Sequence, residues 1–109
     1  MLTNLLIVPT VKAAVEALQN ADKVAWKRLF APRAVLYDDG SPRDLRRFMK
    51  ESFGRGRFIC IDRVANSGFY IEGDFHSEEW GDSRTYLNFE LNNSGRIVRL
   101  DVGKVEDGA

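Results

Sequence analysis

The sequence predicts an α+β domain in which three short N-terminal helices pack on one face of a mainly antiparallel sheet. Two observations carry that reading. Up to about Gly56 the apolar residues recur at helical spacing, and beyond it they alternate as strand residues do. The turn words ANSG, WGDS and NNSG then divide the second half into four strand segments, at about 57–65, 69–79, 84–92 and 96–105.

Each element has its own local reason. Thr10 is a side chain able to cap a helix whose Val11, Ala14, Val15 and Leu18 form one apolar stripe. Asp22 caps the second helix, with Ala25, Trp26, Leu29 and Phe30 on its apolar face; Pro32, which lacks an N–H, is expected to end it. AVLYDDG reads as a short strand closed by a turn. Ser41 and Pro42 are expected to supply the N-cap and first-turn proline of the third helix, with Asp44 near its positive end. Leu45, Phe48, Met49 and Phe53 make that helix's buried face, and Gly54 its C-terminal cap.

In the strand half, Thr85, Leu87, Phe89 and Leu91 alternate with Arg84, Tyr86, Asn88 and Glu90. Val98, Leu100 and Val102 alternate with Arg99 and Asp101 in the same way. One dry face and one wet face are what an antiparallel sheet covered on one side requires. The closing EDGA is expected to lie outside the packed core.

Composition restricts the function classes. A chain of 109 residues, 44% hydrophobic and 29% charged, has room for one core and no second domain. Sixteen basic and sixteen acidic residues cancel, so no overall field draws the chain to nucleic acid or to an anionic membrane, and neither is an expected partner. The charges are uneven all the same: Lys27–Arg63 holds ten basic and five acidic residues, Glu72–Asp107 nine acidic and four basic. Cys60 is the only cysteine, which excludes an intrachain disulfide; within FICI it reads as a small buried hydrophobe rather than a nucleophile. MLTNLLIVPT is too short and lacks the positive flank of a signal peptide or membrane span, so a cytoplasmic location is expected.

The words NADKVAWKRLFAPRAVLYDDGSP and FELNNSGRIVRLDV, in the order helix, helix, short strand, helix and meander, resemble the nuclear transport factor 2-like superfamily in its SnoaL-like and ketosteroid isomerase-like branch. The resemblance covers about residues 10–104 of a single domain spanning 1–109, with 105–109 as a tail. It implies a cone-shaped, cystatin-like fold: a strongly bent sheet wrapped around the helices, an apolar pocket between them, and a homodimer.

Function is less specified, since that superfamily mixes enzymes with binding modules. In ketosteroid isomerases an aspartate after the first strand moves the proton, while a tyrosine on the first helix and a protonated aspartate on a late strand hold the enolate oxygen. The resemblance puts the base at Asp38, but the other two positions fall at Ala14 and Leu87. Ketosteroid isomerisation is therefore not expected, because oxyanion stabilisation is usually the largest catalytic contribution. What remains is a small, largely apolar ligand in a pocket walled by Trp26, Phe30, Phe48, Met49, Phe53, Leu87, Phe89 and Leu100. Isomerase, cyclase or dehydratase chemistry would then run through Asp38, with His76 or Tyr37 as helpers and no cofactor. The alternative for Asp38 is an aspartate that ends a strand and bonds its turn.

DFHSEEWGD, residues 74–82, contains the only histidine. Asp74, His76 and Glu78 share a strand face, but a facial triad or a zinc tetrahedron needs further ligands, so no metal is expected. Phe69, Ile71 and Phe75 take the core parity, which turns Tyr70, Glu72, Asp74 and His76 outward; a bulge near Gly73 would reverse this and bring His76 towards Asp38. A second function class follows from that outer face: a non-enzymatic dimerisation or protein-binding module using Tyr70, Glu72, His76, Tyr86 and Glu90. A third uses the basic side of RRFMKESFGRGRF, with Arg46, Arg47, Lys50, Arg55 and Arg57, to hold phosphate or nucleic acid. The glycines of that segment match no phosphate-binding loop.

Overall fold

The computed structural model describes residues 6, 8–51, 53–78 and 81–105. In chain order these form α1 (Pro9–Gln19), α2 (Lys23–Arg28), β1 (Phe30–Asp38), β2 (Ser41–Arg43) and α3 (Leu45–Glu51). There follow β3 (Gly56–Ala65), β4 (Tyr70–Ser77), β5 (Gly81–Leu91) and β6 (Ile97–Lys104). The six strands make one sheet in the order β2-β1-β6-β5-β4-β3, antiparallel except where β1 runs parallel to β6. The α+β architecture and the antiparallel meander β3 to β6 are as the sequence predicts. The tail residues 106–109, and Glu79 and Trp80 of the acidic stretch, lie outside the described residues.

One core joins the layers. Val11, Ala14 and Val15 of α1, Trp26 of α2 and Met49 of α3 meet Leu36, Ile71, Leu87, Phe89 and Leu100 of the sheet. α2 and α3 contact β1, whereas α1 reaches across to β3 at the other side. There the side chain of Gln19 accepts from the Phe58 amide at 2.8 Å and donates to the Phe58 carbonyl at 2.9 Å. Gln19 thus supplies to an edge strand the hydrogen bonds that a further strand would supply.

Several local expectations are corrected. α1 begins at Pro9 with Val8 as its flanking residue, because proline needs no capping acceptor; Thr10 Oγ1 instead donates to the Gly95 carbonyl at 3.2 Å. Asp22 does cap α2, accepting from the Ala25 amide at 3.0 Å, but the helix stops at Arg28. Phe30 already pairs with Ile97 in the sheet, and Pro32 falls where the register of β1 on β6 shifts between Phe30 and Val35, a place that tolerates a missing donor. Ser41 and Pro42 do not open a helix. Asp39 and Gly40 both take positive φ, 51° and 86°, which forms the two-residue turn that folds Ser41–Arg43 back on β1, so Asp44 caps α3 by accepting from the Arg47 amide at 3.1 Å.

The irregularities of the long strands also fall on different residues. β4 keeps an unbroken register with β5, and it is β3 that shifts, between Phe58 and Cys60 and between Ile61 and Arg63. Gly73 sits opposite this stretch because a Cβ there would run into the Cys60 carbonyl oxygen. The first shift turns Ile59 out to 58% exposure and brings Cys60 out of the expected buried row, so that its thiol donates to Asp74 Oδ2 at 3.4 Å. A shift between Glu90 and Leu91 likewise makes Ile97, not Val98, fully buried on β6 along with Leu100. Among the described residues no helix is long and apolar enough to cross a membrane.

Candidate functional site

Leu36 is buried at 1% exposure, so strand alternation turns Tyr37 to the opposite face and Asp38 back to the face of Leu36. Asp38 there lines a cavity of about 360 Å³. Leu18, Trp26, Phe48, Phe75, Leu87, Leu100 and Val102 form its apolar walls. Its polar rim gathers at one end of the sheet: Asp38, Asp39 and Arg43 from the β1–β2 hairpin, Arg55 before β3, Ser77 at the end of β4, Ser83 and Thr85 on β5, and Lys104 on β6. Along β5 the inward residues Ser83, Thr85 and Leu87 therefore run from polar rim to apolar wall.

The two carboxylates are held differently. Asp38 Oδ2 accepts from Arg43 Nη1 at 2.7 Å, across the hairpin that the Asp39–Gly40 turn creates. Asp39 Oδ1 accepts from the Lys104 amide at 3.1 Å, and the Asp39 amide donates to the Val102 carbonyl at 2.8 Å. Gly103 makes this approach possible, since a Cβ there would strike Asp39 Oδ1 and the Tyr86 ring. Burial, and then the negative charges of Asp39, Asp101 and Asp38, raise the Tyr86 phenol above its usual 10.0.

The structure brings together only part of the expected site. Trp26, Phe48, Leu87 and Leu100 line the cavity with Asp38. Phe30, Met49, Phe53 and Phe89 are buried in the core without lining it; the Phe30 and Phe53 rings lie 5.0 and 5.2 Å from that of Trp26. The Trp26 indole Nε1 is buried with no acceptor among the described residues. Tyr37 lies outside the cavity lining, with the Arg99 guanidinium over its ring at 4.1 Å. His76 points outward, half-exposed, its Nδ1 2.5 Å from Asp82 Oδ1, and does not join Asp38. Ala14 is fully buried and Leu87 presents an apolar wall, so neither of these positions offers an oxyanion donor.

Sequence reading missed Asp39, Arg43 and Lys104, and placed Arg55 in a basic patch rather than at the cavity. Asp39 shares the DDG turn word with Asp38, but Arg43, Arg55 and Lys104 reach the rim only through the hairpin and the strand order. Of the basic residues in segment 46–57, Arg55 alone lines the cavity; Arg47 pairs with Glu51 on α3 at 3.1 Å.

The outer sheet face is organised around Arg84. Its guanidinium pairs with Asp62, with Glu72 Oε1 at 3.2 Å and with Asp74 Oδ1 at 3.2 Å. That hydrogen bond holds the Asp62 carboxyl below its usual 3.8. Glu72, expected to be a wet contact residue, is only 5% exposed; it also accepts from Tyr70 Oη at 3.0 Å and lies 3.6 Å from Arg63. Burial and the bond to Glu72 raise the Tyr70 phenol above 10.0. Among the described residues, no three or more His, Cys, Asp or Glu side chains gather as a metal site.

With sheet order, helix placement and cavity established, the class of fold is that of nuclear transport factor 2-like proteins, also called cystatin-like. The chain is similar, at 17% identity and a TM-score of 0.76, to the orange carotenoid protein of Anabaena in a structure that binds canthaxanthin; 94% of this chain matches 37% of that one. It is similar to a candidate polyketide cyclase from Sinorhizobium meliloti at 18% identity and a TM-score of 0.74, over 88% of this chain and 94% of the other. A nuclear transport factor 2-like protein of unknown function from Cytophaga hutchinsonii matches at 15% identity and a TM-score of 0.69, over 89% and 88%. At such identities the shared property is the fold. No protein-family model and no curated protein sequence matches the chain.

Proposed function

We propose that the chain binds a small, largely apolar molecule in the cavity beside Asp38, and that Asp38 moves a proton on it in an isomerase-, cyclase- or dehydratase-type step. The observation that carries this reading is the cavity of about 360 Å³, with Trp26, Phe48, Leu87 and Leu100 as walls and two carboxylates at its rim. Its volume falls in the range of small-ligand sites, roughly 300–1,000 Å³, which combine apolar walls with few polar groups. Neighbours in fold that bind a carotenoid or are candidate cyclases support the same kind of ligand. Arg43 occupies one oxygen of Asp38 and fixes the carboxylate, leaving the other to accept a proton from carbon and return it elsewhere on the same molecule. Ser83 and Thr85 are the hydroxyl donors on the cavity face of β5.

Leu87→Trp fills the cavity, and titration calorimetry with methyl 2-naphthoate as the apolar probe should register binding to the natural protein and none to the variant. Asp38→Asn keeps the shape and removes the base. A ligand-dependent reaction that survived this change at full rate would contradict the catalytic half of the proposal.

A second reading, a homodimer through the outer sheet face, is supported by Ile59, 58% exposed, and by the stacked rings of Tyr70 and Tyr86, 5.7 Å apart. Sedimentation at micromolar concentration tests it: dimer for the natural chain and monomer for Ile59→Lys is the expected pair, and a natural chain that is strictly monomeric overturns it.

A further inference from the structure

Resting on the cavity reading above, we infer that the ligand is an amphipathic anion, whose apolar body lies among the walls and whose carboxylate-like head meets Arg55 and Lys104 at the rim. The rim contains three cations and two carboxylates, and their pairing decides which sign a ligand meets. Asp38 is already engaged by the Arg43 guanidinium, and Asp39 by the Lys104 backbone amide. The guanidinium of Arg55 and the ammonium of Lys104 take no acceptor among the described residues, although both side chains line the cavity.

The outer sheet face behaves in the opposite way: Arg84 there meets three carboxylates, and Arg99 meets Asp101 at 2.9 Å. Arg84 and Arg99 are thus paired on the sheet's outer face, whereas Arg55 and Lys104 stand without a carboxylate, among the described residues, beside an apolar cavity. An anion at the rim gains ion-paired hydrogen bonds from them, while a neutral carbonyl head gains weaker ones and a cation meets like charge. Both side chains are exposed, so the gain is moderate and is screened by salt.

Three probes with one ring system separate the possibilities by calorimetry: 2-naphthoate, its methyl ester, and 2-naphthylmethylammonium. The natural protein should bind the acid about tenfold tighter than the ester and the ammonium most weakly, with the acid's advantage falling as salt rises. Replacing both cations (Arg55→Gln with Lys104→Gln) should bring the acid to the level of the ester and change the ester far less than the acid. The same charge removed from α3 (Arg46→Gln with Lys50→Gln) should leave the preference intact. Equal binding of acid and ester overturns the inference while leaving the cavity reading in place, as does tighter binding of the ammonium. A preference that persists in the Arg55/Lys104 variant overturns the assignment of the head to these residues. If none of the three binds, the cavity reading fails and this inference fails with it.

Discussion

The two faces of β5 carry the same alternation to opposite ends. Outward, Arg84 and Tyr86 belong to a surface whose charges satisfy one another, with Glu72 buried beneath Arg84 and Tyr70. Inward, Ser83, Thr85 and Leu87 border unfilled space. One strand therefore separates a closed polar network from an open apolar cavity, and the proposed ligand is assigned to the inner side on that difference. A fully packed core is sensitive to one added methylene, whereas a ligand cavity accepts bulk at the expense of its ligand.

The largest predicted effect breaks the pairing that keeps the faces distinct. Gly73→Ala pushes a methyl group into the Cys60 carbonyl, and chemical denaturation should show a loss of about 3 kcal/mol. Glu72→Ala opens the outer network, leaving Tyr70 Oη and the Arg84 Nε without their acceptor, for a loss of about 2 kcal/mol in the same assay. Leu87→Trp adds far more volume than either yet should cost under about 1 kcal/mol, because it grows into free space; a cost above that of Glu72→Ala would mean that the cavity is effectively closed. The smallest effect is spectroscopic. Asp39→Asn removes a negative charge beside Tyr86, so the raised phenol pKa should move down towards 10.0 while the part due to burial remains, as read by ultraviolet titration.

Much of the fold was legible because it rests on local period and caps. The apolar stripe of Val11, Ala14, Val15 and Leu18, the Asp22 cap and the alternation from Thr85 to Leu91 are properties of neighbours in sequence. The misreadings arose where two local signals competed or a bulge intervened. Ser41-Pro42 is a credible helix start, but the Asp39–Gly40 turn, with both φ positive, makes an edge strand first. Pro32 reads as a helix stop although the chain has already entered the sheet at Phe30. Cys60 leaves its expected buried row and Ile59 is turned out because β3 shifts register between Phe58 and Cys60, which no residue type announces. Asp38 comes from the family resemblance rather than from any local pattern, and the outward His76 from parity with Ile71. Arg43, Arg55 and Lys104 do not follow from any local pattern, since strand order alone brings their three segments to one rim.

The most direct test is a methyl- and aromatic-resolved nuclear magnetic resonance titration of the unmodified chain with 2-naphthoate. Saturable shifts of the Leu87, Leu100 and Val102 methyl groups, with the Tyr70 and Tyr86 rings of the outer face unmoved, are the predicted result. Shifts confined to Tyr70, Tyr86 and Ile59, with the cavity methyl groups silent, would contradict the account and move the functional surface to the other side of the sheet.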